Sequence, residues 1–209
     1  MEDRPEEHPL TGETLLHHGR VWDVARETFD YGGTSIVREV IRHPGAVAIL
    51  ALDDDGRVLL IRQYRHPIHA RAWEIPAGLL DEPGEPPLEA AQRELAEEAD
   101  LAATTWHVLA DFQNSPGGSD ETIRVYLARG VSAVPAFSRS EEEADIEVRW
   151  VPLDDVVDAV LARRVQSPSL VVGALAAVAS RARDWATLAP GDEPWLRHPV
   201  AGGAPWRTR

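Results

Sequence analysis

The chain has 209 residues, with 35 Asp and Glu against 21 basic side chains that are all Arg, a formal charge of -14, and no Cys. The absence of Lys excludes Schiff-base, P-loop lysine and Ser-Lys chemistry, and the absence of Cys excludes thiol nucleophiles, disulfides and thiolate-bound metals. A field of this sign repels nucleic-acid backbones, so function must rest on carboxylates, hydroxyls, His, Arg, backbone groups or a bound metal.

Residues 1–13, rich in Glu, Pro and His, read as a flexible arm with no apolar leader segment. From 14 to 43 two alternating runs surround Tyr31-Gly32-Gly33-Thr34, the pattern of a β-hairpin. Two apolar runs, Ala46 to Leu52 and Val58 to Tyr64, flank Asp53-Asp54-Asp55-Gly56 and predict a second hairpin. Three adjacent aspartates invite a metal reading, but Asp-Gly between strands is ordinarily a turn. Leu88, Ala91, Leu95 and Ala99 stand at helical spacing after Pro86-Pro87. Strands are predicted near Trp106 to Phe112, Thr122 to Ala128 and Ile146 to Val151. Helices are predicted from Leu153 to Arg163 and from Pro168 to Ala186, the second with Ser167 as N-cap and Pro168 at its first position. The main domain thus spans 44–186, and 187–209 reads as an irregular tail holding Trp195 and Trp206. The longest apolar stretch, around Leu170 to Ala179, is too short to cross a bilayer, and a cytoplasmic protein without a membrane partner is expected.

The chemistry concentrates in the first helix. At about 3.6 residues per turn, Glu94 and Glu98 stack one turn apart with Glu97 beside them, away from the Leu88/Leu95 stripe. Carboxylates so placed repel one another, and a solvent-facing role is the plain alternative. The glycine-containing loop before the helix, Ala77-Gly78-Leu79-Leu80, can add a backbone carbonyl and complete an oxygen-only shell suited to magnesium or manganese.

Gly78, Glu85, Arg93, Glu94, Leu95, Glu97, Glu98 and Leu101 together resemble the box of the Nudix hydrolase family. Two positions depart from it: six residues rather than five separate Gly78 from Glu85, and Asp100 stands where the family has Gly. Asp tolerates the left-handed backbone that a helix C-terminus requires. The resemblance implies an α/β/α sandwich with a mixed sheet, a small amino-terminal β-rich domain, and hydrolysis of a nucleoside diphosphate linked to a second group. It also implies metal binding by Glu94, Glu97, Glu98 and the Ala77 carbonyl, with magnesium or manganese, more than one ion per site.

Arg62-Gln63-Tyr64-Arg65-His66-Pro67, Trp73-Glu74-Ile75-Pro76-Ala77-Gly78, and Pro116, 15 residues beyond Leu101, are similar to the ADP-ribose pyrophosphatase branch of the family. That likeness implies a small nucleoside diphosphate substrate, cleavage of ADP-ribose to AMP and ribose 5-phosphate, and a homodimer that exchanges the amino-terminal hairpin. The alternatives are another nucleoside diphosphate sugar or dinucleotide, or a catalytically silent nucleotide sensor.

Arg65 is the candidate diphosphate ligand, with Glu74 beside it. Arg38 is a second candidate, reaching across from the partner subunit, unless it pairs with a nearby Glu. Trp22 is a candidate for stacking on adenine, unless it serves packing. With the helix carboxylates committed to metal, family alignment points to Glu143 as general base, with Glu142 the alternative and Glu98 beside the reacting centre. Glu143→Gln is expected to lower kcat severely while leaving substrate binding intact. If titration and turnover assays show Glu142→Gln to be the damaging change, the base lies one residue earlier.

Overall fold

The protein, seen here as a computed structural model, is described over residues 1–137 and 145–195. Strands β1 (Leu10–His18), β2 (Asp23–Tyr31) and β3 (Thr34–Arg42) form an antiparallel sheet in that order. The expected Gly-Gly turn joins β2 to β3. Gly32 and Gly33 take φ of 60° and 87°, a region open to glycine at little cost, and Asp30 Oδ1 accepts the Gly33 N–H at 2.7 Å. The arm expected over 1–13 ends earlier, since Leu10 to Thr14 belong to β1 and extend the hairpin to three strands. No residue of β1 is buried, so no apolar alternation marks it in the sequence. Arg42, 5% exposed, ties the three strands through contacts of 2.7 Å to Glu13 and 2.7 Å to Glu27. Burial pulls the Arg42 pKa down, and the bonds to those two carboxylates more than offset it, leaving the group above its ordinary value.

Next come β4 (Ala46–Ala51), β5 (Arg57–Arg65), β6 (Ala70–Glu74) and β7 (Ala77–Leu79). Helix α1 (Pro87–Ala99) is followed by β8 (Leu101–Gln113), β9 (Thr122–Ala133) and β10 (Glu147–Pro152). Helices α2 (Leu153–Leu161) and α3 (Pro168–Arg181) and the two-residue β11 (Ala189–Pro190) complete the described chain. Asp53-Asp54-Asp55-Gly56 is a turn: Asp53 Oδ1 accepts the N–H groups of Asp55 and Arg57 at 3.1 and 2.8 Å, and its Oδ2 takes Arg57 Nε at 2.7 Å. The predicted second hairpin does not persist beyond that turn. β4 and β5 share one bridge, Leu52 to Val58, and then part into separate sheets, ordered β11-β8-β9-β4-β7 and β10-β5-β6. A strand has two edges, and those of β4 are taken by β9 in parallel and β7 antiparallel, which leaves β5 to pair elsewhere.

Every residue of β4 is buried. Ala46, Ala48 and Leu50 point into one apolar cluster with Leu153 and Val156 of α2 and Leu170, Ala174 and Ala177 of α3; Val47, Ile49 and Ala51 point into the other with Ala90, Ala91 and Leu95 of α1. The result is the expected α/β/α sandwich around a mixed sheet. Among the described residues no helix is long and apolar enough to cross a membrane. The start of the tail is ordered by packing: Trp195 is 8% exposed with the Arg124 guanidinium 4.9 Å from its ring. Trp206 lies outside the described residues.

Gly173 lets α3 lie close on the sheet, and an added Cβ would meet Ile75, Leu50 and Val125 side chains at 3.4 Å, ordinary contact distance. Gly173→Ala is therefore expected to gain up to ~1 kcal/mol from helix propensity, while Gly173→Leu overpacks the interface and loses about 1–3 kcal/mol. Urea denaturation of the two variants checks both signs.

Candidate active site

α1 begins with Pro87 at its first turn and ends at Asp100, whose backbone is left-handed (φ 54°) and whose N–H bonds back to Ala96 and Leu95. Asp100 thus fills the conformational role of the family's glycine, and its carboxylate also accepts the Phe137 N–H at 2.8 Å. The helix is pinned by its buried Ala90, Ala91 and Leu95, which turns Glu94 and Glu98 toward β7. Glu98, 6% exposed, accepts the Ala77 N–H at 2.9 Å. Glu94 lies so close to Gly78 that a Cβ there would sit 2.0 Å from its carboxyl carbon, so only glycine fits without displacing the carboxylate. Ala77 meets α1 through its N–H.

Arg93 organises the remaining charge. Its Nε and Nη2 make a two-point bond to Glu85, both at 2.9 Å, and its Nη1 bonds Glu94 at 2.7 Å and Glu97 at 3.2 Å. The sequence resemblance supplied Arg93 only as a motif letter; the structure makes it the counter-charge that lets three acids share one helical face. Among the described residues no three His, Asp or Glu side chains form a closed cation shell. Even so, the donors fit a hard divalent cation: they are all oxygen, and Arg93 Nη1 already bridges two of them where positive charge is needed.

A cavity of about 770 Å³ opens where the β10-β5-β6 sheet parts from the five-stranded sheet, lined by all five residues of β6 and all three of β7. The α1 carboxylates stand behind β7 and touch the cavity wall through Ala77 and Gly78. Arg65 and Glu74 both line it, joined by a two-point bond of 2.9 and 2.7 Å. Arg38 is exposed on β3 and donates to the Val37 carbonyl at 2.9 Å, and Trp22 is 44% exposed just before β2. Neither lines the cavity of its own protomer. Glu142 and Glu143 lie outside the described residues. Asp145, just after them, is held by Arg71 of the cavity wall at 3.2 and 3.3 Å. His66 and His69, also near Arg65 in the chain, meet edge to face with ring centroids 5.0 Å apart and do not line the cavity.

Sequence reasoning passed over three wall elements. His43 is buried and accepts the Gly45 N–H on Nδ1 at 3.0 Å, and its backbone N–H bonds Asp120 at 2.7 Å. Glu121 lies 3.9 Å from His43 Nε2 and takes Asn114 Nδ2 at 2.8 Å. The linker from Arg164 to Ser167, with Pro168 and Ser169 at the start of α3, lines the cavity as well. The signals were present as His43-Pro44-Gly45 before an apolar run and as an acid following the Pro116 loop; the linker read only as a helix start.

Residues 42–170 match the NUDIX domain model, and the chain belongs to that family. It is 42% identical over 196 residues to an ADP-ribose pyrophosphatase of Mycobacterium tuberculosis, covering 93% of this chain and 94% of that protein. It is 37% identical to an ADP-ribose pyrophosphatase of Bacillus subtilis, over 77% of this chain and 86% of that one. The crystal structure of an ADP compounds hydrolase superposes with a TM-score of 0.70 at 20% identity, covering 88% of this chain and 96% of that one, a likeness of fold.

Hydrogen bonding to Arg93 holds the Glu85 carboxyl below its ordinary value, an effect that burial only partly opposes. Arg93 is raised in turn, chiefly by Glu85. A carboxyl depressed in the folded state adds stability above its unfolded pKa and loses it as the pH falls through the folded one. Glu85→Gln is expected to be less stable than the parent at neutral pH, with the gap narrowing as urea titrations are moved below pH 4.5. A gap independent of pH would show the pair to be electrostatically idle.

Proposed function

We propose that this protein is a divalent-metal-dependent ADP-ribose pyrophosphatase that uses water to split ADP-ribose into AMP and ribose 5-phosphate. The observation that carries the reading is the seating of Glu94 and Glu98 of α1 against Gly78 and Ala77 on the wall of the cavity. Relatives bearing that activity in their names, aligned over most of both chains, support the substrate.

Glu94, Glu97 and Glu98, with the Ala77 carbonyl, are the residues that would hold magnesium or manganese, more than one ion in the site. Such ions supply charge against the diphosphate and make a water more acidic. Glu85 and Arg93 hold the first two of these carboxylates in place. Glu74 fixes the plane of the Arg65 guanidinium at the cavity wall, which pre-orients it toward phosphate oxygens. Glu143, or Glu142, takes the proton of the attacking water; Arg71, by anchoring Asp145, ties the end of that segment to the wall.

The working form is proposed to be a cytoplasmic homodimer that exchanges its amino-terminal sheet, bringing Arg38 and Trp22 to the partner's cavity. The exposed apolar side chains on one face of that sheet support this: Leu10 and Leu15, opposite Phe29 and Ala25, are 53% and 54% exposed, and a small sheet needs an apolar face covered.

Glu98→Gln keeps an oxygen to accept the Ala77 N–H, so the variant should fold; it is expected to lose magnesium-dependent turnover of ADP-ribose. Near-parental hydrolysis by the folded variant, in a phosphate-release assay run with and without magnesium, would sink the metal assignment.

A further inference from the structure

The polar groups around the cavity divide into those already engaged and those left open. Arg65 and Glu74 hold each other, Asn114 holds Glu121, Arg71 holds Asp145, and His43 Nδ1 is taken by the Gly45 N–H. The linker between α2 and α3, with the first turn of α3, is different: among the described residues, the side chains of Arg164, Gln166, Ser167 and Ser169 make no hydrogen bond to the protein, yet all four line the cavity. Ser167 is the telling case. Its position before Pro168 is that of an N-cap, where a Ser hydroxyl ordinarily bonds the first turn, and here it makes no such bond. A hydroxyl withheld from its local role in a residue that lines the cavity, near an amide and a guanidinium in the chain, offers donors and acceptors in the mixture that sugar hydroxyls require. Trp73 also lines the cavity, adding the apolar surface against which a sugar ring packs.

We propose that the Arg164–Ser169 segment, which lines the cavity together with Ala77 and Gly78, is the specificity wall for the sugar attached to the diphosphate, with Gln166 and Ser167 bonding its hydroxyls and Arg164 closing the end. The inference rests on the pyrophosphatase reading and assigns the substrate's second group to a surface of this same cavity. It places the diphosphate against β7 and Arg65 and the sugar against the linker, so discrimination among nucleoside diphosphate sugars resides between α2 and α3.

The test compares two substrates with magnesium present: ADP-ribose, and the β-methyl ester of ADP, which keeps the nucleoside and diphosphate but lacks the second sugar. Gln166→Ala, Ser167→Ala and the double variant are expected to lose about 10- to 100-fold in kcat/KM for ADP-ribose, mainly through KM. The methyl ester falls far less, so the preference between the two collapses. Because the Ser167 side chain caps nothing, Ser167→Ala should melt at the parental temperature, a result that separates binding from folding. An equal loss on both substrates, or an unchanged preference, overturns the proposal. If the parent does not hydrolyse ADP-ribose, the pyrophosphatase reading is what fails. Calorimetric binding of ADP-ribose and of the methyl ester to the same variants then decides the linker's role by the same ratio.

Discussion

Six consecutive residues with no polar side chain, Ala46–Ala51, must be covered on both faces and paired on both edges, and most of the architecture answers that demand. Burying a Val, Leu or Ile side chain is worth about 1.5–3 kcal/mol, so a bare face on this strand would forfeit more than any surface ion pair could return. α1 covers one side and α2 with α3 the other, while β9 and β7 take the edges. The second edge has the functional consequence. By pairing with β7 it fixes Ala77 and Gly78 in extended backbone against the helix that carries the acids, and it sends β5 and β6 away into another sheet, so a cleft opens between the two.

Within that frame the site is a problem of like charges. Glu94, Glu97 and Glu98 crowd one face of a helix whose other face is locked in the core, so they cannot separate by rotating the helix. Arg93 answers with both edges of its guanidinium, one gripping Glu85 and the other Glu94 and Glu97. A lysine could bring the charge but not the two-sided geometry, which gives the Lys-free composition a local meaning. Glu98 is steadied separately, by a backbone N–H.

How far these features could be read from the chain depended on the length scale of the signal. α1 was legible almost to the residue, because its apolar spacing and its typed box positions both mark it, and the left-handed Asp100 followed from the side chain's tolerance for that backbone. The Gly32-Gly33 turn was legible for the same local reason. β1 was not: Leu10 to His18 bury nothing, so pairing by backbone alone left no pattern. The hairpin expected of β4 and β5 failed because the turn chemistry is local and correct, whereas the choice of strand edges is made by β7 and β9, 26 or more residues away. Ser167 shows the complementary limit, since Ser-Pro before an apolar run names a helix start but not where the hydroxyl points. Which wall faces α1's acids, and hence the place of His43, Glu121 and the linker, is a property of the assembled sheets.

The two short strands that border the cleft also bear on how open strand edges are shielded. Among the described strands β6 pairs only with β5, and β7 only with β4, so each has one edge that no described strand takes. An open edge is a template for adding a strand from another chain. Here both edges line a concavity and neither is longer than five residues, which denies an incoming strand the straight approach it would need. The hollow thus also shields the two open strand edges that border it.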